Sequence, residues 1–275
     1  MKLPPWLVGE FFGTFLLVFF GCGALAVAVL TDAQMGFFQV AAVWGLGIAT
    51  AIYITGSLSG AHLNPAVTCA LATGGEFPAN KVAGYLAAQF AGAFAAAGVL
   101  QGIFSGALRV YEVAHGVVRG TAGSEATAMI FAEFFPNPGG KALTDVMRAT
   151  VSPGAAFGIE VVGTAILVLV IFCVSDSQNA GRPRELKAVT IGLTVTLLIS
   201  LLGPLTMACF NPARDLAPRL WSALCGGWGT VSFSANGWGW LTVYVLAPLV
   251  GGQLAGLAYR FFFRPAYAAV ASRAD

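Results

Sequence analysis

Six stretches of the chain stay apolar for about the length a bilayer demands. They cover roughly 6–30, 36–57, 82–106, 153–175, 186–203 and 237–262, and a transmembrane helix needs about 20 such residues. The first is too long for a signal-peptide core and has no small-residue cleavage site before more membrane sequence, so it reads as a span. Two shorter apolar pieces, near 64–73 and 211–222, follow spans two and five. Neither is long enough to cross. Each opens with Asn-Pro, which suits a helix start, because Asn caps free N–H groups and Pro fits the first helical position. The pattern predicts an all-α membrane protein with six transmembrane helices and two re-entrant half-helices.

Composition agrees. Of 275 residues, 57% are hydrophobic and 9% charged, against about 25% charged in a soluble domain. The 35 glycines suit helices packed closely in lipid. Disorder, nucleic-acid binding and a secreted disulfide scaffold are excluded. The five cysteines show no metal-ligand spacing and read as small buried residues. Cations set the orientation. With the N-terminus inside, Lys2, Lys81, Arg182, Arg184, Lys187, Arg260, Arg264 and Arg273 fall inside. Arg109, Arg119, Lys141 and Arg148 fall outside, in one long loop over about 107–152 that holds Pro136, Pro138, Gly139 and Gly140. The first outside loop carries only Asp32. Both termini are therefore expected in the cytoplasm.

The two halves repeat. Gly9-Glu10-Phe11-Phe12-Gly13-Thr14 answers Ile159-Glu160-Val161-Val162-Gly163-Thr164, Trp44-Gly45-Leu46 answers Ile191-Gly192-Leu193, and Asn64-Pro65-Ala66 answers Asn211-Pro212-Ala213. Tyr85 and Gly92 answer Tyr244 and Gly251. Each half makes three crossings, so the halves must be inverted, with function at the midplane between them. The expected organisation is one domain over 1–275: repeat 1 at about 6–106, the connecting loop at about 107–152, and repeat 2 at about 153–262.

Non-helical backbone survives at membrane depth only when buried in protein or lining a wet cavity. Two inverted half-helices would meet N-terminus to N-terminus, aiming both positive dipole ends at the centre. Asn64 and Asn211 would add amide donors there. Extended stretches before them, Gly60-Ala61-His62-Leu63 and Met207-Ala208-Cys209-Phe210, would offer a ladder of backbone carbonyls. Such a path passes small neutral hydroxylated molecules and repels cations and protons. Arg214 is costly at membrane depth and reads as a pore residue. Glu10 and Glu160 are read as acceptors for N–H groups of each half's re-entrant loop. His62 reads as a support beside the pore rather than a metal ligand, because the only other histidine, His115, lies in the distant outer loop.

Ser59-Gly60-Ala61-His62-Leu63-Asn64-Pro65-Ala66-Val67-Thr68 and Asn211-Pro212-Ala213-Arg214-Asp215 resemble the paired boxes of the major intrinsic protein family of aquaporins and glycerol facilitators. The resemblance runs from Glu10 to about Phe262. It implies the aquaporin-like fold, one pore per subunit, and a homotetramer. Asp215, Arg219 and the pair Pro248-Leu249 are similar to the glycerol-conducting branch. Spacing from the boxes places Trp44, Ile199, Ala208 and Arg214 at the constriction, where typical glycerol facilitators have Gly and Phe at the middle two positions. Trp-Ile-Ala-Arg resembles the filter of the plant nodulin-26-like branch.

The resemblance implies passive passage of glycerol and other small uncharged solutes with water, through a lipid-embedded channel that needs no cofactor. A water-selective channel, or one mainly for metalloid acids, urea or ammonia, are the nearer alternatives. A coupled transporter would need titrating midplane groups and a moving repeat. An enzyme would need a nucleophile with a base, or a metal set, and the sequence pairs neither. Short tails and the lack of a targeting extension suit a bacterial inner membrane.

Overall fold

The protein is described by a computed structural model over residues 3–31, 33 and 36–272. Lys2, Asp32 and Arg273 of the charge argument lie outside the described residues. Besides single turns in the loops, the described residues form eight helices. In chain order these are α1 (Pro5–Leu30), α2 (Phe37–Ser59), α3 (Pro65–Thr73), α4 (Val82–His115), α5 (Pro153–Ser175), α6 (Lys187–Thr206), α7 (Pro212–Leu224) and α8 (Gly239–Ala271). All but α3 and α7 are long and apolar enough to cross a membrane. No strand occurs among the described residues.

Two spans outrun their apolar stretches. Helix α4 continues past 106 to His115, so the connecting loop begins at Gly116, whose φ of 64° ends the helix. A helix can leave the lipid when polar pairs support it: Glu112 in the last turns of α4 takes both bonds of the Arg119 Nε at 2.8 and 3.0 Å. Helix α8 holds two π-helical segments, Thr242–Leu246 and Tyr259–Phe263, and continues past 262 to Ala271. Its far end is tied down by Arg264, which bonds Glu76 at 3.2 Å.

Helix α1 packs on α2 and α4, α5 packs on α6 and α8, and α2 against α6 joins the halves. The short helices are exchanged: α3 rests chiefly on α8 and α7 chiefly on α4. Repeat-equivalent glycines set these crossings. A Cβ on Gly92 would overlap the Phe11 carbonyl, one on Gly251 the Val161 carbonyl, and Gly45 and Gly192 each face the other's carbonyl. Without an apolar-water driving force between helices in lipid, such close backbone approach supplies the packing. Leu46, Ile103, Val162, Leu197 and Leu254 stay exposed on the outer faces of the spans, which suits lipid and would burden a soluble protein.

The cysteines depart from expectation. Cys22 and Cys209 are buried, but Cys69 and Cys173 are half-buried and Cys225 is exposed. Cys225 follows the last turn of α7, where the chain emerges from the packed bundle.

Candidate functional site: a channel between two half-helices

Each Asn-Pro pair starts a helix as its chemistry requires. Asn64 Oδ1 accepts the Ala66 N–H at 2.8 Å, and Asn211 Oδ1 accepts those of Ala213 and Arg214 at 3.0 and 3.3 Å. Pro65 and Pro212 occupy the first helical positions, where no N–H is missed. The amide ends reach across. Asn64 Nδ2 donates to the Phe210 carbonyl at 2.8 Å, and Asn211 Nδ2 donates to the Leu63 carbonyl at 2.8 Å. The two helix N-termini thus meet, and each amide keeps its second N–H.

The segments before the boxes are not extended. Ala61 and Leu63 have φ of 52° and 51°, and Met207, Ala208 and Phe210 have 64°, 60° and 53°. A non-glycine residue held there costs on the order of 1–3 kcal/mol, so the surroundings must enforce it. The buried glutamates do. Glu10 accepts from Ser59 Oγ, the His62 and Leu63 N–H groups and Gln89 Nε2, all within 2.7–2.9 Å. Glu160 accepts from Thr206 Oγ1 at 2.6 Å and from the Cys209 and Phe210 N–H groups at 3.0 and 2.9 Å. Drawing the N–H groups outward to a carboxylate turns neighbouring carbonyls the other way. His62 acts as a support: its Nδ1 lies 3.2 Å from Thr68 Oγ1, and its ring packs on Phe77 and Tyr85.

A cavity of about 520 Å³ runs past these loops. Gly60 through Asn64 and Ala208 through Asn211 line it, as do Trp44, Ile199 and Arg214. The structure therefore gathers on one lumen the four residues expected at the constriction, Trp44, Ile199, Ala208 and Arg214. Met207 is not on that wall; its sulfur takes the Phe134 N–H at 3.2 Å instead. Pro65, Ala66, Pro212 and Ala213 lie behind it within the helix starts, and Pro248 and Leu249 do not line it either.

Arg214 is only 3% exposed. Its Nε lies 2.8 Å from Glu133 Oε1, and its Cζ lies 4.4 Å from the centre of the Trp44 ring. Its Nη1 finds no protein hydrogen-bond partner. Glu133 comes from the connecting loop and is itself clamped. Its N–H donates to Asp215 Oδ1 at 2.8 Å, and its carbonyl accepts from Arg219 Nη2. Arg219 grips Asp215 with Nε and Nη2, both at 2.8 Å, and its Nη1 donates to the Ser232 carbonyl. Asp215 and Arg219 thus fasten a loop across the start of α7. Burial pushes the Glu133 carboxyl up, and the Arg214 guanidinium opposes that shift. Sequence reasoning missed Glu133. The available signal was Ile130-Phe131-Ala132-Glu133-Phe134-Phe135, an apolar run inside a loop, too short to span and holding a single acid.

The architecture has counterparts. The model of the family described as major intrinsic protein matches residues 5–259. The glycerol uptake facilitator protein of Pseudomonas aeruginosa is 39% identical over 92% of this chain and 86% of its own. The propanediol uptake facilitator of Salmonella typhimurium is 37% identical over 92% of this chain and 91% of its own. The X-ray structure of the aquaglyceroporin from Plasmodium falciparum superposes with a TM-score of 0.80 at 27% identity, covering 96% of this chain and 98% of that one. With the paired half-helices, the six spans and these likenesses together, the chain belongs to the major intrinsic protein family and is a multi-pass membrane protein.

Proposed function

We propose that this protein is a passive channel for glycerol and other small uncharged solutes, with water, and that it excludes ions and protons. The observation that carries this reading is the chemistry of one ring of the lumen. Arg214 brings a guanidinium to the lumen wall, its Nη1 is buried without a protein partner, and Trp44 and Ile199 supply apolar wall on the same cavity. A polyol has one face of hydroxyls and one of carbons, and such a ring receives both. Past it, the spare amide N–H groups of Asn64 and Asn211 sit between two helix N-termini and orient each passing oxygen. A cation meets positive potential there and finds no replacement for its water shell. The names of the relatives, a glycerol uptake facilitator and a propanediol uptake facilitator, agree in solute class.

The filter Trp44-Ile199-Ala208-Arg214 is similar to that of the nodulin-26-like branch. Ala208 takes a ring away and Ile199 adds an aliphatic wall, which admits urea, ammonia or undissociated metalloid acids beside glycerol. The carbonyl ladder is Gly60, Ala61, His62 and Leu63 in one half and Ala208, Cys209 and Phe210 in the other. The chain forms one domain of two inverted repeats and assembles as a homotetramer, with both termini cytoplasmic, in a bacterial inner membrane. No cofactor or energy source is needed.

Stopped-flow light scattering of proteoliposomes, with water, glycerol and urea gradients run separately, tests this. Glycerol re-swelling faster than in empty liposomes is the expected result. Fast water efflux without glycerol entry would overturn it and assign Ile199 the narrowing role of a water-selective channel.

A further inference from the structure

Trp44 is the largest side chain of the filter, and α2 alone does not fix where its ring stands. The ring rests on α1. A Cβ built on Gly21 would fall equally far from Cε3, Cζ3 and Cη2 of Trp44, well inside van der Waals contact. A point equidistant from three atoms of a hexagon lies on the axis through its centre. The six-membered ring of Trp44 therefore lies face-on against the Gly21 backbone. Gly21 is buried in α1, and Leu17, one turn earlier, lines the same lumen as Trp44. Arg214 Cζ lies over the Trp44 ring, 4.4 Å from its centre, so the guanidinium bounds the ring there.

We infer that Gly21 is a specificity-determining position that acts through Trp44: its missing side chain lets the filter ring lie flat on α1, and this sets the width of the pore. The inference rests on the reading of Trp44 as filter wall. A single methyl at this position would drive the ring away from α1 by roughly 1–2 Å, the distance needed to restore carbon–carbon contact. Trp44 and Arg214 line the same lumen, so a ring displaced off α1 presses on Arg214 and narrows the space between the walls. The glycine is needed here for the face it leaves bare, because the backbone at Gly21 is ordinary helix.

The test compares wild type, Gly21→Ala, Trp44→Phe and the double variant Gly21→Ala/Trp44→Phe in proteoliposomes. Permeability is read along a ladder of rising size: water, urea, glycerol, erythritol. Gly23→Ala serves as control. It lies on the same helix, and its Cβ would meet only Leu100 Cδ2 at an ordinary 3.4 Å. Gly21→Ala is expected to lower the size cutoff by one step, cutting the largest permeant solute of the wild type about tenfold with a smaller effect on water, as pore diameter dictates. The double variant is expected to regain that solute, because a phenyl ring is smaller than an indole. Gly23→Ala is expected to match wild type. An unchanged cutoff in Gly21→Ala overturns the inference, and so does failure of Trp44→Phe to rescue it. A wild type that passes water and urea but not glycerol would sink the proposed solute and not this inference, because the cutoff shift is then read between urea and water.

Discussion

At the scale of single residues, the pair Arg214–Glu133 decides how the proposed filter is held. Both side chains are buried, and they meet at 2.8 Å. Removing one member of a buried pair costs about 3–5 kcal/mol, because the other charge is stranded. Glu133→Ala is therefore expected to lower thermal stability in detergent steeply. Glu133→Gln keeps the shape and removes the charge. It is expected to fold, to leave the guanidinium freer to enter the lumen, and to reduce glycerol flux several-fold; unchanged flux in a folded Glu133→Gln would make the pair structural only. Ala208 gives a second residue-scale prediction. It lines the lumen, so Ala208→Phe is expected to reduce passage of solutes bulkier than glycerol, measured by re-swelling with erythritol. Equal erythritol and glycerol profiles before and after would remove Ala208 from the constriction. Asn64, Asn211, Arg214, Glu10 and Glu160 were legible as candidates because a polar residue in apolar sequence stands out. Glu133 was not, because its partner is brought to it only by folding of a long loop.

At the scale of elements, the six spans and two half-helices could be read directly, since lipid imposes a length on every apolar stretch. The ends were less legible. Helix α4 runs to His115 on polar pairing that no apolar count detects. The loops before the boxes were read as extended, yet they enter left-handed backbone at Gly60, Ala61, Leu63, Met207, Ala208 and Phe210. Nothing in those side chains favours φ above zero; the glutamate one helix away enforces it. Glu160→Gln tests this dependence. The carboxylate accepts three bonds from Thr206, Cys209 and Phe210, and an amide supplies one acceptor oxygen only. Loss of at least one charge-assisted bond predicts a destabilisation of about 1–3 kcal/mol, seen as a lowered unfolding midpoint in detergent. Full retention of the midpoint would mean that packing of Phe210 on Gly163 suffices to hold the loop.

At the scale of the whole molecule, each half holds the other's half-helix. Helix α3 rests on α8 and α7 on α4. The asparagines bond across the centre at 2.8 Å in both directions, and α2 and α6 touch backbone to backbone at Gly45 and Gly192. A coupled transporter works by rocking one repeat against the other around its site. Here that rocking would break both asparagine bonds and part the glycine contact at once, with nothing on the solute's side to repay it. The exchange of half-helices therefore locks the halves together, and permeation must proceed through a standing path. Flux is expected to rise linearly with the glycerol gradient, to be equal in both directions, and to ignore imposed sodium or proton gradients. Proteoliposomes loaded with glycerol up to high concentration, with and without an ion gradient and a protonophore, read all three. Saturation together with a response to the ion gradient would show that the repeats do move, and the interlocked centre would then have to open in each cycle.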